Sequence, residues 1–143
     1  KERDRLMNSR AIPQGRGRLE FPWGDVYIGE ITNGKPHGAG KLSCPNGDFQ
    51  DGIFANGAIS KCHGQRRYEE GGVYTGLLDS WMPQGFGTLT FADKMCYKGM
   101  FVDGEAHGSG SLSADTIPIY TGTFWQGKAS TDASISIIFP ASL

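Results

Sequence analysis

Two glycine-rich stretches, each with a histidine, are the parts of the sequence that most resemble a chemical site. Residues 31–42 read ITNGKPHGAGKL and residues 101–112 read FVDGEAHGSGSL, so His37 and His107 stand directly before paired glycines. A glycine-rich loop can bind phosphate through its backbone amides, and a histidine can act as a general base. The same residues also suit a tight turn that recurs along a chain. The spacing of the copies decides between these interpretations.

A repeat of about 23 residues runs through the chain. Successive copies of the element Tyr-x-Gly end at Gly76, Gly99 and Gly122, at intervals of 23 residues. The interval from Gly29 to Gly76 is 47 residues, and Gly52 stands near its midpoint in the same register. Self-similarity at a fixed period of this length is typical of repeat architectures. The tyrosines of the element are Tyr27, Tyr74, Tyr97 and Tyr120, and its glycines are Gly29, Gly76, Gly99 and Gly122.

A second element, Gly-x-Gly-x-Leu, keeps the same register as the first. It begins at Gly15 in its first copy, while residues 62–66 read CHGQR in the corresponding slot of the second repeat. Both glycines are lost at residues 131–135, in the last repeat. Several copies in one register predict that these glycines have a structural task. They are Gly38 and Gly40, Gly85 and Gly87, and Gly108 and Gly110.

The sequence of each repeat predicts a β-hairpin. Residues 26–31, VYIGEI, alternate with the period of two that is typical of a strand. The Asn-Gly pair supplies the positive φ of a tight turn, so residues 33–38, NGKPHG, are predicted to form the turn, and AGKLSC the returning strand. Gly29 has no side chain and leaves a slot beside Tyr27 for a ring. Short strands without any helical period predict an all-β, elongated antiparallel sheet.

Residues 27–47, YIGEITNGKPHGAGKLSCPNG, and residues 97–112, YKGMFVDGEAHGSGSL, resemble the MORN repeat (membrane occupation and recognition nexus). The pattern of that family is Tyr-x-Gly-x-aromatic-x-x-Gly-x-x-His-Gly-x-Gly, and the resemblance covers about residues 15–138. The second repeat departs from it at Gln50 and Cys62, and the fifth departs after Lys128. The resemblance implies a twisted β-meander of consecutive hairpins. It also implies a protein-interaction scaffold of cytoskeletal, ciliary or membrane-associated assemblies. Some members are fused to lipid kinases, methyltransferases or exchange factors, and lipid binding has been attributed to the repeats.

The repeat favours a structural role for the two histidines over a catalytic one. His37 and His107 are 70 residues apart and occupy the same position of two repeats. A nucleotide-binding loop is followed by a helix N-terminus, whereas a strand is predicted here. The carboxylates fall mostly in turns, and the three cysteines are far apart without a Cys-x-x-Cys motif. We therefore expect no catalytic, cofactor-binding or metal-binding residues, and a reduced, intracellular protein.

Tryptophans interrupt the repeat pattern at its turns. Trp23 stands in the slot of Asn46, Trp81 in that of Gly34, and Trp125 in that of Thr32. A tryptophan at a turn of a single sheet is difficult to bury, and exposed aromatic side chains favour interfaces. Alternatively, each ring folds back over its own hairpin. Trp81 is the leading candidate because the adaptable Met82 follows it. The predicted partner-binding residues are Trp81, Met82, Trp23, Trp125, Tyr27, Tyr74, Tyr97, Tyr120 and Phe101.

The charge is unevenly distributed along the chain. Residues 1–18 carry a net charge of +4 and the remainder carries −5. We interpret residues 1–14 as a basic segment. It could be a linker, a short helix, a cap or an anchor on an anionic membrane. Residues 15–140 are predicted to form an array of about five repeats, of which the second and the last are degenerate. A pI of about 6.3 without a basic stripe on the repeats argues against nucleic acid as a partner.

The sequence thus predicts a non-catalytic scaffold or targeting module. The expected partner is a peptide, a helix, or a cytoskeletal or ciliary protein bound on the repeat surface. Two alternatives are a module that binds anionic phospholipid and a regulatory segment of a larger enzyme. An open sheet leaves faces and edges uncovered, so self-association as a homodimer is a further expectation. The expected location is the cytoplasm, in association with the cytoskeleton, a cilium or a membrane.

Overall fold

The computed structural model describes residues 14–130 and residue 135. Apart from Gln14, the basic segment predicted for residues 1–14 lies outside this range, as does most of the chain after Ser130. Every regular element in the described range is a β-strand. The strands are β1 (Gly15–Glu20), β2 (Val26–Thr32), β3 (Lys35–Ser43), β4 (Phe49–Phe54), β5 (Lys61–Arg67), β6 (Val73–Asp79), β7 (Met82–Thr90), β8 (Met95–Val102), β9 (Glu105–Ala114), β10 (Ile117–Trp125) and β11 (Lys128–Ala129).

The strand order of the sheet equals the chain order from β1 to β11. Neighbouring strands run antiparallel, as in β2 with β3 and in β8 with β9. The prediction of an all-β meander of consecutive hairpins is therefore confirmed. By contacts, the chain divides into an N-terminal unit, Lys1–His63, and a C-terminal unit, Gly64–Leu143. The boundary falls within β5, so the N-terminal unit holds β1 to β4 and the C-terminal unit holds β6 to β11.

The hairpin turns are shorter than the sequence suggests. Asn33 and Gly34 have φ angles of 54° and 77°, which closes the β2–β3 hairpin in two residues. Lys35 already pairs with Thr32 and begins β3, so the prediction that all of NGKPHG forms the turn was wrong. The register of β3 against β2 then shifts between Gly29 and Ile31. This irregularity takes up the extra residues around Gly38, which is a common function of a bulge.

The core of the N-terminal unit covers one face of its strands. Leu19, Tyr27, Ile31 and Phe54 are buried together, and the rings of Tyr27 and Phe54 meet edge to face with centroids 5.0 Å apart. These side chains come from alternate positions of β1, β2 and β4, as the period of two requires. The partly buried Phe21, Leu42 and Ile59 pack against them.

The core of the C-terminal unit is a chain of aromatic rings in edge-to-face contact. Phe101 lies between Tyr74 and Tyr97, with centroid distances of 5.0 and 5.1 Å. Phe124 lies between Tyr97 and Tyr120 in the same way, at 5.0 and 5.2 Å. Edge-to-face pairs of this kind are worth roughly 0.5–1.5 kcal/mol beyond the area that they bury. One hairpin alone could not supply such a chain, because the Tyr74–Phe101 and Tyr97–Phe124 pairs join strands of successive repeats.

The slot for each tyrosine ring is made by glycines of two neighbouring strands. Gly29 pairs with Gly40, and a Cβ atom on Gly40 would overlap the ring of Tyr27. A Cβ on Gly29 would lie 2.5 Å from the carbonyl oxygen of Ala39 and 2.6 Å from the Tyr27 hydroxyl. From the sequence, Gly29 alone is expected to form the slot, whereas the partner glycine of the next strand contributes most of the room. Gly76 with Gly87 and Gly99 with Gly110 repeat the arrangement for Tyr74 and Tyr97.

Candidate interaction surface

The tyrosines that were predicted to contact a partner are core residues. Tyr27, Tyr74 and Tyr97 are wholly buried, and Phe101 is buried as well. Each of these tyrosine hydroxyls donates a hydrogen bond to the backbone carbonyl three residues later, at 2.8 Å for Tyr27, 2.6 Å for Tyr74 and 2.8 Å for Tyr97. Because ring and hydroxyl are both engaged inside the chain, these residues do not present a surface to a partner. Tyr120 is half-buried and makes the same bond at 3.1 Å.

The three tryptophans differ in exposure, and the leading candidate, Trp81, is the least exposed of them. Trp23 is 67% exposed and Trp125 is 62% exposed, whereas Trp81, the leading candidate, is half-buried. Trp23 stacks on Phe21 at 5.0 Å, and its Nε1 donates a hydrogen bond to Asp25 at 2.9 Å. It therefore folds back over its own turn, as the alternative interpretation held.

The open face of the C-terminal unit carries a row of apolar side chains. Phe86 on β7 is 59% exposed and pairs directly with Met100 on β8. Leu77 on β6 extends over Gly85, where a Cβ would lie 3.0 Å from its Cδ1. We call Leu77, Phe86 and Met100 the apolar row. The next row of paired positions on this face holds Thr75, Thr88, Lys98, Ser111 and Thr121, so the apolar row is bordered mainly by hydroxyl groups.

The open face of the N-terminal unit has a different character. Lys41 pairs with Asp51, and Arg16 pairs with Glu30, with an Nη1–Oε2 distance of 3.9 Å. Arg18 forms a closer ion pair with Glu20, at 2.8 Å. Charged side chains of both signs therefore lie on this face together with the exposed Ile28 and Ile53, whereas the C-terminal unit has mainly apolar and hydroxyl groups. Such exposed ion pairs contribute little to stability, but they keep this face hydrated.

Arg66 and Trp81 form a contact that the sequence argument did not anticipate. Arg66 occupies the slot held by Leu42 and Leu89 in other repeats, yet it is only 4% exposed. Its Nη1 donates a hydrogen bond of 2.6 Å to the carbonyl of Trp81, and its guanidinium lies 4.6 Å from the ring centroid of Tyr68. Its Nε has no hydrogen-bond partner among the described residues.

Trp81 stands in a backbone conformation that normally belongs to glycine. Its φ is 67° and that of Ser80 is 53°, so this turn has the geometry of the Asn-Gly turns without their residues. A side chain in the left-handed region costs about 1–2 kcal/mol. Two departures from the repeat, Arg66 and Trp81, are thus joined by one hydrogen bond. The replacement of a leucine by an arginine in the repeat alignment was the available signal for this pair.

His37 and His107 bind the turn of the following repeat. The Nδ1 of His37 accepts a hydrogen bond from the backbone N–H of Asn56 at 3.1 Å, and that of His107 accepts one from Gln126 at 3.3 Å. The ring of His107 also lies 4.4 Å from the ring of Trp125. The nitrogen that could act as a base is therefore occupied in both residues, which agrees with the structural role proposed for them.

The described residues hold no group of three His, Cys, Asp or Glu side chains that could bind a metal ion. Burial raises the pKa of the Cys44 thiol to about 11, and the nearby Asp25 carboxylate adds to the shift. A thiol with this pKa is a poor nucleophile near neutrality, because the thiolate is the reactive form. Within the same part of the chain, no helix has the length and the apolar character to cross a membrane.

Four segments of the chain match the sequence profile of the MORN repeat: residues 10–26, 27–49, 82–96 and 97–115. Together they make up just over half of the chain. The protein belongs to the MORN-repeat family. The matched segments leave out most of the second repeat, where Gln50 and Arg66 replace the tyrosine and the leucine of the pattern. The family consists in general of interaction modules without catalytic activity.

The MORN array of this chain is similar to part of Alsin from Homo sapiens, Mus musculus and Rattus norvegicus. In each comparison the identity is 32% over 92 residues, which is 61% of this chain. The match spans only 6% of the length of Alsin. The similarity therefore concerns a short segment of that long protein.

Proposed function

We propose that this chain is a non-catalytic MORN-repeat module that binds a helix or a peptide of another protein on the open face of its C-terminal unit. The observation that carries the proposal is the apolar row. Leu77, Phe86 and Met100 lie on adjacent strands and are 40–59% exposed. Contiguous apolar groups of this kind on a soluble domain are typical of an interaction site.

The surroundings of the apolar row favour a protein as the occupant. The hydroxyl groups of Thr75, Thr88 and Ser111 can donate and accept hydrogen bonds at the rim of an apolar contact, which is the usual composition of a protein interface. The exposed Trp125 lies on the same unit and supplies a further aromatic group. An anionic lipid surface would instead require an excess of positive charge, and the open face of the N-terminal unit pairs its cations with carboxylates.

The similarity to Alsin supports a role as one segment of a longer polypeptide. An array of this size that covers 6% of a relative is suited to recruit or position other parts of a chain. We propose an intracellular location for it, in association with the cytoskeleton, a cilium or a membrane, since the family works in such assemblies.

The proposal is tested with a double variant of the apolar row, Phe86→Ser with Met100→Ser. Partner proteins are recovered by affinity purification and identified, and the binding of each purified partner is then measured by calorimetry. Removal of two buried apolar side chains from an interface is expected to weaken binding at least tenfold. Ile53→Ser is the matched control, because Ile53 is 70% exposed on the N-terminal unit. Circular dichroism confirms that all variants are folded.

Two outcomes would contradict the proposal. Equal affinity of the purified partner for the double variant and the parent would exclude the apolar row. Flotation with vesicles of phosphatidylcholine and phosphatidylserine provides the second test, since lipid binding that the double variant retains and that salt abolishes would favour the membrane alternative.

A further inference from the structure

In four places among residues 14–130, a side-chain acceptor holds the hairpin turn of the next repeat. In each case the acceptor stands 19 residues before the turn residue whose backbone N–H it binds, and that turn residue has a φ of 49–54°. Two of the acceptors are glutamines and two are histidines. The pairs are Gln14 with Asn33 at 2.5 Å, His37 with Asn56 at 3.1 Å, Gln84 with Asp103 at 2.8 Å, and His107 with Gln126 at 3.3 Å.

A backbone bond completes this contact. The N–H of Gly57 binds the carbonyl of Pro36 at 2.8 Å, directly beside the bond from Asn56 to His37. The same backbone bond joins Gly104 to Pro83 at 3.0 Å and Gly127 to Ala106 at 2.9 Å. We call a side-chain bond together with its backbone bond a turn clasp. A clasp satisfies both donors of a two-residue turn with acceptors from the preceding repeat.

Glutamine and histidine are equivalent in the clasp only while the imidazole is neutral. The amide oxygen of glutamine accepts a hydrogen bond at any pH of interest. Neutral imidazole accepts through a nitrogen lone pair, but the imidazolium ion has an N–H on both nitrogens and accepts nothing. Free imidazole gains that proton in the range just below neutrality. We propose that the side-chain bonds of His37 and His107 are acid-sensitive and open on protonation, whereas the side-chain bonds of Gln14 and Gln84 stay closed.

The charged residues around His37 are of both signs. The Glu30 carboxylate on β2 extends over Gly38, the residue after His37, and also pairs with Arg16. Lys35 stands on β3, the strand of His37, and its side chain lies beside Gly57. The turn residues Ala55 to Ala58, which His37 binds, contain no titratable side chain.

The surroundings of His107 are less charged. Met100 on β8 takes the position that Glu30 has on β2, and its side chain lies against Gly108. Glu105 precedes His107 on β9, and Asp103 stands in the turn before it. Trp125 of β10, 4.4 Å from the His107 ring, has no titratable group but attracts a cation through its ring face. The consequence that we expect of protonation at either histidine is therefore the loss of the Nδ1 acceptor.

The change is a local one and is independent of the proposed binding function. Loss of one hydrogen bond to a turn should raise the rate of amide exchange at its donor by about three- to tenfold, after correction for the intrinsic effect of pH. Only the amides of Asn56 and Gln126 should respond. The amides of Asn33 and Asp103 are internal controls, since their acceptors are glutamines.

Nuclear magnetic resonance of the nitrogen-labelled chain tests the proposal. The imidazole nitrogen shifts should show an unprotonated Nδ1 at neutral pH in both histidines. Between about pH 7.5 and pH 5, the amide protons of Asn56 and Gln126 should move upfield and exchange faster. His37→Gln and His107→Gln should each abolish the response in their own turn and leave the other turn unchanged.

Three results would overturn the acid-sensitive clasp. The first is an Asn56 or Gln126 amide that follows the same pH profile as Asn33 and Asp103. The second is a pH response that persists in the matching glutamine variant. The third is a protonated Nδ1 at neutral pH, because such a nitrogen could not accept the bond. Glutamine already fills this position twice in the chain, so both variants should fold. The pH measurements on the parent chain test the proposal even without the variants.

Discussion

The tyrosine of each repeat is fixed by the same contacts in successive copies. Its ring fills a slot between paired glycines, and its hydroxyl binds the carbonyl three residues later. The sequence predicted the importance of both residue types from their period alone. The period and the glycines predicted that stacked repeats bury a ladder of aromatic rings, yet the same tyrosines were also predicted to contact a partner, because an open sheet leaves a face uncovered; Tyr27, Tyr74 and Tyr97 are wholly buried. The glycine slots let each ring lie close against the backbone, where neighbouring rings cover it.

Alkaline pH should destabilise the fold through Tyr97. Burial raises the pKa of this phenol from its ordinary value of 10.0 to about 12. The unfolded chain therefore releases the proton first, so the stabilisation is fully present below about pH 10 and is lost as pH rises towards about 12. The free energy of unfolding from urea titrations should begin to decline at about pH 9, where the Cys44 thiol ionises first in the unfolded chain, and should decline more steeply above about pH 10, while tyrosinate absorbance lags behind that of free tyrosine.

Tyr97→Phe is the control for this prediction. It removes the hydroxyl that binds the Met100 carbonyl, so it should lower the free energy of unfolding near neutrality by about 1–2 kcal/mol. Above about pH 10, the free energy of unfolding of the variant should decline less than that of the parent chain. Some decline should persist, since burial also raises the pKa of Tyr27 and that of the Cys44 thiol. An identical alkaline decline in the variant would exclude Tyr97 as a source of the effect.

At the scale of the hairpin, the strands were predictable and the turns were only partly so. Alternation in VYIGEI and the Asn33-Gly34 pair placed β2 and the start of the turn correctly. The return strand was predicted to begin later than it does, because Pro36 and Gly38 are poor strand residues in isolation. In the folded sheet Pro36 faces Ile31 and offers its carbonyl to Gly57, so tertiary contacts extend β3 over both residues.

The turn at Ser80-Trp81 should store backbone strain that a glycine would release. Trp81→Ala retains the unfavourable φ of 67° and loses the indole, whereas Trp81→Gly loses the indole and the strain together. We therefore expect Trp81→Gly to be more stable than Trp81→Ala by about 1–2 kcal/mol in urea unfolding.

Gly57→Ala provides the matched control for Trp81. Gly57 takes the equivalent turn position with a φ of 89°, and the nearest atom to an added Cβ is 3.8 Å away. The substitution Gly57→Ala should lower the free energy of unfolding by about 1–2 kcal/mol, because alanine would also have to adopt a positive φ. No steric clash should add to this cost. Equal stabilities of the two Trp81 variants would contradict the assignment of strain to this turn and would mean that the turn relaxes when the ring is removed.

At the scale of the whole chain, the repeat pattern predicted the family, the strand order and the structural task of the glycines. The pattern was less informative about function, because a residue that recurs in register is usually fixed by packing. The apolar row illustrates this difference. Leu77, Phe86 and Met100 lie at variable positions of the repeat, and only their adjacency in the sheet distinguishes them from scattered surface residues.

The second repeat should be the least stable part of the array. Repeat proteins approximate a sum of intrinsic and nearest-neighbour terms, and this repeat replaces a core tyrosine with Gln50 and a core leucine with Arg66. Arg66 also buries an Nε without a partner among the described residues, which costs about 1–3 kcal/mol. Backbone amides of β4 and β5 should therefore exchange with solvent faster than those of β8 and β9, as mass spectrometry of deuterated peptides would show.

Arg66→Leu should slow exchange in β5 and leave the overall stability unchanged or higher, because an apolar residue of similar volume often replaces a buried charge without loss. The lost bond to the Trp81 carbonyl opposes this gain by about 1 kcal/mol or slightly more. Lys98→Leu on the exposed side of β8 is the control, and it should not alter exchange in β5. If β5 of the parent chain exchanged as slowly as β8, or if Arg66→Leu accelerated it, the buried arginine would be a stabilising element of the array and not its weak point.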